Sequence, residues 1–354
     1  MKSSEGKHYL ALDHIRAVAA FLVFTWHFVH VNNLHLTPVS IFPLSLLTEG
    51  HTGVALFMTL SGYLFAKLLN GRRVNYLSFF WNRFLRLFPL LFLVVLIVGL
   101  RDLASISEWV SYARKIVLGS IYPTLPNGGW SITVEAHFYV LLPLLLALKK
   151  RSVYWLVGVL LMALIGRLAY FILQGEAQSL AYWTIAGRID QFLLGILAFH
   201  IRDRVASRHL LACVVAVLFL LFFWWFEASG GFYEFSGYPS ASLIWVIFPA
   251  IEGLAYAILI AWYDNSFTHP PGRYSIFFAK IGEYSYSIYL LHFFFYAAIA
   301  GAIDRHVLSL DNVYLALGFA PIGFLIMIPM SYMSYRFIEL PFLRYRRSYL
   351  HPNE

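Results

Sequence analysis

Long apolar segments follow one another along almost the whole sequence, and each could cross a lipid bilayer as a helix. We place ten of them, at residues 11–31, 47–69, 84–100, 131–148, 153–173, 181–201, 210–227, 243–262, 276–300 and 313–337. Only 12% of the residues are charged, about half the usual fraction of a soluble domain, and the mean hydropathy is +0.70. The sequence therefore predicts an all-α polytopic membrane protein, a single bundle of about ten transmembrane helices.

The basic residues are distributed unevenly between the two sides of such a bundle. If the N-terminus is cytoplasmic, all but six of the 26 Lys and Arg fall on cytoplasmic segments or helix ends. The six others are Arg101, Arg114, Lys115, Arg167, Arg188 and Arg305. The positive-inside rule then predicts that both termini are cytoplasmic. We expect the chain to lie in the cytoplasmic (inner) membrane. The net charge of +8 is explained by topology, so the expected partner is the lipid bilayer and no nucleic acid is expected.

The segments between the apolar runs are short. The longest, about 101–130, is placed outside by this topology and is too short for a separate domain. We expect residues 1–354 to form a single transmembrane domain with a core at about 10–345 and no separate soluble domain. The first apolar run lacks a small-residue cleavage site, so it is interpreted as a span and not as a signal peptide. Cys213 is the only cysteine, so no intramolecular disulfide is expected, and no metal site is predicted.

His27 is an ionisable side chain inside the first apolar run, eleven residues after Arg16. Eleven residues are about three helical turns, so the two side chains share one helix face, roughly 16 Å apart. Ionisable residues in transmembrane helices usually face the bundle interior and mark function, although a hydrogen-bonded histidine at a helix end is the simpler alternative. Asp13 and Arg16, at i and i+3 near the cytoplasmic start, can form an ion pair.

Arg83 and Arg86, also at i and i+3, are predicted to open the third helix from the cytoplasmic side. Two guanidiniums on one face suit a bidentate phosphate clamp better than lysines would. The alternative is simple anchoring of a helix end by positive charge, which is common in membrane proteins.

Glu135 and Ser131 lie at the outer start of the fourth predicted helix. Ser131 suits an N-cap, and the helix dipole alone could favour a glutamate there. Glu135 and His27 nevertheless fall at similar depth on different helices. A carboxylate beside an imidazole fixes its tautomer and stabilises imidazolium, so the two are predicted to form a general-base pair.

The ninth predicted helix carries a polar stripe on an otherwise apolar surface. Ser285, Tyr289 and His292 stand at i, i+4 and i+7, which also suits simple interhelical hydrogen bonding. Four further charges lie within predicted spans and are interpreted as structural pairs. They are Arg167, Arg188, Asp190 and Glu252.

The predicted site residues belong to five motifs that follow one another along the chain. They are Leu12-Asp13-His14-Ile15-Arg16 with His27, the glycine- and serine-bearing stretch 50–63, Arg83 with Arg86, Trp130-Ser131 with Glu135, and Ser285-Tyr286-Ser287 through His292 with Glu339 and Pro341 later. Together they resemble the acyltransferase-3 family of integral membrane acyltransferases over about residues 10–345. Each motif alone is weak evidence for this family, whereas the five motifs in this order are specific to it. His14 and Ala17 depart from the glycines that relatives commonly carry, which could narrow the space beside Arg16.

The resemblance implies transfer of an acyl group, most often acetyl, from acyl-CoA to a sugar hydroxyl of an envelope glycan such as lipopolysaccharide O-antigen. Acetyl-CoA would be a donor substrate, and no permanently bound cofactor is implied. Arg83 and Arg86, helped by Arg16, would hold the CoA phosphates. His27, oriented by Glu135, would deprotonate the acceptor hydroxyl or carry the acyl group itself. The other predicted site residues are Asp13, Ser285 and Tyr289 for the donor and Trp130, Ser131 and His292 for the acceptor.

Two alternatives remain at this point. An acyltransferase acting on a small-molecule or antibiotic sugar would keep the chemistry and change the acceptor. A glycan or metabolite transporter would use the same buried charges as a substrate path, without acyl transfer. Some relatives continue into a soluble esterase-like domain, and here such a partner would be a separate periplasmic protein.

Overall fold

A computed structural model describes residues 9–31, 40–235 and 237–352. Helices dominate it in the order α1 (Leu10–Val29), α2 (Ser45–Thr48), a 3-10 turn (Gly50–Thr52), α3 (Gly53–Leu69), α4 (Tyr76–Asp102), α5 (Ile106–Leu118), α6 (Trp130–Arg151), α7 (Val153–Gln174), α8 (Gln178–Trp183), α9 (Ile185–Val205), α10 (His209–Ala228), α11 (Gly231–Glu234), α12 (Ile244–Ser266), α13 (Arg273–Glu283), α14 (Ser285–His306), α15 (Val313–Ser334), a π turn (Tyr335–Glu339) and α16 (Leu340–Leu343). Strands β1 (Arg72–Val74) and β2 (Leu350–Pro352) form one antiparallel pair.

Within these ranges, nine helices are long and apolar enough to cross a membrane. Each coincides with one of the predicted spans, so the helical multi-pass architecture is confirmed. The remaining predicted span, 181–201, corresponds to α9, which is helical but is not among the nine. Its charges explain the difference, because Arg188 and Asp190 lie in its first half and Arg202 and Arg204 in its last turn.

Helix α9 lies inside the bundle, where most side chains between residues 187 and 199 are buried. It packs against α3, α7 and α12. A Cβ at Gly195 would lie 2.1 Å from the carbonyl oxygen of Thr59, so only glycine permits this approach to α3. A helix enclosed by other helices does not need an apolar surface, which is why hydropathy describes α9 poorly.

Two element boundaries differ from the predicted ones. Helix α4 begins at Tyr76, two turns before the predicted span, because the Asn75 side chain accepts a hydrogen bond from the Ser78 amide at 3.1 Å. Arg83 and Arg86 therefore lie within the helix and do not open it. The ninth predicted span is divided at Tyr284 into α13 and α14.

The chain after α16 returns to the start of α4. Strand β2 pairs with β1, with Arg73 opposite His351. The Asn82 side chain donates to the carbonyl oxygen of Arg347 at 2.7 Å and accepts from its amide at 2.9 Å. We call residues 344–352 the C-terminal strap, because they are fixed across this end of the bundle.

Candidate active site

A cavity with about 810 Å³ of empty space, part of it open to solvent, lies between α1, α3, α4, α6, α9 and α14. Its polar lining residues are Arg16, Ser61, Arg83, Arg86, Ser131, Glu135, Tyr139, Ser285, Tyr286 and Tyr289. Apolar side chains from α3 and α4 complete the wall, among them Phe57, Met58, Leu64 and Leu87. A pocket with apolar walls and a few convergent polar groups is typical of a ligand site.

Three predicted donor-site arginines line this cavity together, from α1 and α4. Arg16 pairs with Asp13 at 2.6 Å, as predicted from their spacing. Arg86 makes a 2.6 Å ion pair with Glu339, whose side chain is fully buried. Arg83 has no carboxylate partner in the described part of the chain. It therefore keeps its charge for a ligand more fully than Arg86 does.

Arg83 is held by aromatic rings. Its guanidinium carbon lies 5.2 Å from the ring centre of Phe65, 5.5 Å from that of Phe79 and 5.9 Å from that of Tyr139. The residue is 8% exposed, and its Nε has no hydrogen-bond partner among the described residues. A cation stacked among rings keeps its N–H groups available, since the ring faces accept no strong hydrogen bond.

Glu135 lies on the arginine side of the cavity. It accepts hydrogen bonds from the Tyr139 hydroxyl and, at 3.3 Å, from the Ser61 hydroxyl. The predicted pairing with His27 is not present: both hydroxyls bond to Oε1 of Glu135, and no hydrogen bond joins either carboxylate oxygen to His27 among the described residues. The sequence placed both residues at similar depth, but depth does not give helix adjacency.

His27 instead contacts α14. Its ring centre lies 4.8 Å from that of His292, 4.5 Å from that of Phe293 and 5.8 Å from that of Tyr296. His292 is 1% exposed, and its Nδ1 lies 2.5 Å from the carbonyl oxygen of Tyr289. That nitrogen must donate, so in the neutral ring Nε2 is an acceptor, and it has no partner in the described chain. Two histidines thus share the space beyond the cavity.

The predicted acceptor residues divide into two environments. Ser131 lines the cavity and donates to the Tyr289 hydroxyl at 2.7 Å, and Tyr289 donates to the Gly128 carbonyl oxygen at 3.0 Å. Trp130 is buried and does not line the cavity. It packs on Trp183 at 4.7 Å between ring centres and on the Arg188 guanidinium at 5.4 Å. Trp130 therefore fixes the start of α6 and so positions Ser131.

Several cavity residues were not predicted. Ser61, Tyr139 and Tyr286 line the cavity. Glu339 does not line it but neutralises Arg86 through the ion pair. The position of Tyr139, four residues after Glu135, could have indicated the first contact, because i and i+4 side chains meet on a helix. Ser61 and Tyr286 lie on other helices, and no spacing in the sequence reveals their approach.

Comparison with known families agrees with this arrangement. The model of the acyltransferase-3 family, described as an acyltransferase domain, matches residues 9–336. The chain belongs to the acyltransferase-3 family. The match includes α1 to α15 and all of the cavity-lining residues.

Relatives of this acyltransferase-3 protein are named as O-acetyltransferases. A Staphylococcus aureus (strain MRSA252) protein named "Putative O-acetyltransferase SAR0937" is 26% identical across 99% of the chain and 61% of its own length. The O-acetyltransferase OatA of S. aureus (strain NCTC 8325) is 25% identical across 83% of the chain and 53% of its own length. The chain thus spans about half to three fifths of these relatives. No solved structure matches it.

Proposed function

We propose that this acyltransferase-3 protein transfers an acetyl group from cytoplasmic acetyl-CoA to a sugar hydroxyl of an envelope glycan, such as lipopolysaccharide O-antigen, on the outer side of the cytoplasmic membrane. The observation that carries the proposal is the cavity that brings Arg16, Arg83 and Arg86 together from two helices. The names of the relatives support acetyl as the group transferred.

The arginine side of the cavity would hold the donor. Guanidinium groups bind phosphate oxygens bidentately, and CoA carries a diphosphate and a 3′-phosphate. Arg83, which has a buried and unpartnered Nε, would make the strongest contact. The apolar wall formed by Phe57, Met58 and Leu64 would suit the pantetheine arm as it extends toward Tyr289.

The two histidines beyond the cavity, His27 and His292, would carry out the acyl transfer. His27 would take the proton of the acceptor hydroxyl, and the sugar oxygen would attack the thioester carbonyl carbon. The carbon–sulfur bond then breaks, and the CoA thiolate leaves and receives the proton from the imidazolium. His292 would assume the orienting role predicted for Glu135, because its ring lies against His27 and its tautomer is fixed by Tyr289.

This mechanism requires a defined topology, with both termini cytoplasmic. The arginines would then lie toward the cytoplasmic donor and His27, in the last turn of α1, toward the outer acceptor. We expect alkaline phosphatase fused after Ser120 to be active and the same reporter fused after Arg151 to be inactive. The opposite result at both positions would reverse the orientation and remove the donor assignment.

The activity is tested by mass spectrometry of envelope glycans from cells with and without the gene. We expect sugar acetylation to disappear with the gene and to return with a wild-type copy. A His27→Ala copy should not restore it, although the protein is present in the membrane. Unchanged acetylation together with an altered amount of exported glycan would favour a transporter instead.

A further inference from the structure

The C-terminal strap brings a further arginine to the donor site. Trp81 donates its indole N–H to the carbonyl oxygen of Tyr345 at 3.2 Å, and Asn82 holds the backbone of Arg347 with two hydrogen bonds. Trp81 and Asn82 immediately precede Arg83 on α4. The residue between the two fixed strap positions, Arg346, is therefore held near Arg83.

Two of the three guanidinium nitrogens of Arg346 are buried without a partner among the described residues. Its Nε and Nη2 have no hydrogen bond in the described chain, and the same is true of the Arg83 Nε. Buried N–H groups normally find acceptors, because leaving one without a hydrogen bond is destabilising, and more so for a charged group. Two neighbouring arginines that each carry a buried N–H group without an acceptor among the described residues indicate a ligand that supplies one.

The charges around Arg346 and Arg83 also favour an anionic ligand. Burial, followed by the charges of Arg86 and Arg83, lowers the pKa of Arg346 to about 10. Glu339 neutralises Arg86, and Glu283 accepts a hydrogen bond from the Tyr335 hydroxyl at 2.8 Å. Arg83 and Arg346 are thus left with no carboxylate in salt-bridge contact among the described residues. Like charges held together in this way destabilise the unliganded protein, and an anion with two negative charges would relieve the repulsion.

We propose that Arg346 and Arg83 together bind a phosphate group of the acyl donor, so that the C-terminal strap completes the donor site. This inference rests on the proposed function, since it identifies the anion as a phosphate of CoA. The planar forks of two arginines offer the bidentate geometry that phosphate oxygens accept. Arg346 does not line the cavity itself, so it would contact a phosphate at the cavity mouth and not the pantetheine arm.

The test compares purified wild-type protein with Arg346→Gln by thermal melting at increasing concentrations of CoA. We expect Arg346→Gln to bind CoA about tenfold or more weakly, because a charge-assisted contact is lost. Without CoA, the melting temperature should stay the same or rise, since one repulsive charge is gone. A merely structural arginine would give the opposite effect on the unliganded protein. Binding of pantetheine, which has no phosphate, should be unchanged.

Arg344→Gln is the matched control, because Arg344 is the first residue of the same strap and is exposed. Its CoA affinity should equal that of wild type. Wild-type affinity in Arg346→Gln would overturn this inference and leave the proposed function standing. No effect of CoA on the wild type would remove both. If Arg346→Gln does not fold, Arg346→Lys decides, since wild-type affinity without the planar fork would contradict the bidentate contact.

Discussion

Replacing His27 with alanine is expected to lower acetyl transfer by about 10²–10⁴-fold, the usual contribution of general-base assistance. The helix bundle should still fold, because His27 is half-buried and lies in the last turn of α1. Turnover of acetyl-CoA by the purified variant, measured at saturating donor, gives the magnitude. CoA should shift the melting temperature of the variant as it does for wild type, since His27 does not line the cavity that contains Arg83.

His306→Ala is the matched control. His306 also lies in the last turn of a spanning helix, α14, but it is exposed and does not contact the cavity. Its turnover should equal that of wild type. If a folded, CoA-binding His27→Ala protein turned over at the wild-type rate, His27 would have no part in the reaction, and His292 would be the next base to examine.

Replacing Arg167 with leucine is expected to destabilise the protein by about 3–5 kcal/mol, because it leaves Asp190 charged and buried without a partner. The two form a 2.6 Å ion pair, and both side chains are fully buried. Arg167 also donates to the carbonyl oxygens of Gly187 and Val246 at 2.6 and 2.7 Å, so one side chain joins α7 to α9 and α12. Chemical unfolding in mixed micelles measures the loss.

Two comparisons isolate the cause of that loss. The double variant Arg167→Leu/Asp190→Leu should recover part of it, since two apolar side chains replace the ion pair and no unpaired charge remains. Arg101→Leu, which removes an exposed pair with Asp102, should leave the stability unchanged. A double variant no more stable than Arg167→Leu alone would mean that the lost hydrogen bonds to the backbone, and not the unpaired charge, account for the loss.

The sequence predicted the spans well where helices face lipid, because hydropathy reports that environment directly. Helix α7 shows this, since Val153–Gln174 matches the predicted 153–173 and only Leu156 and Arg167 are buried. The start of α4 was missed because a single capping side chain, Asn75, determines it. The break at Tyr284 was missed because no proline or long polar segment separates the amphipathic α13 from the apolar α14.

Several predicted site residues line one cavity, but most of the contacts between them were not predictable from the sequence. The pairing of Asp13 with Arg16 was predictable, since both lie on one helix and helical spacing fixes their distance. The Ser61 partner of Glu135 and the partners of His27 and Arg86 lie on other elements of the fold. A sequence gives the depth of each side chain along its own helix but not the rotation of that helix toward its neighbours, so these contacts required the structure.

The position of α9 has a consequence for how the chain enters the membrane. An arginine or aspartate opposes insertion of a helix by the translocon, by up to about 2.5–3.5 kcal/mol each at the helix centre, and α9 carries Arg188 and Asp190 in its first half. Asp190 finds its counter-charge on α7, which is synthesised before it. The carboxylate nearest Arg188, Glu252 at 4.0 Å, is on α12, which is synthesised after it. Biogenesis must therefore keep α9 beside the translocon or the earlier helices until α12 emerges, so that these helices integrate as a group.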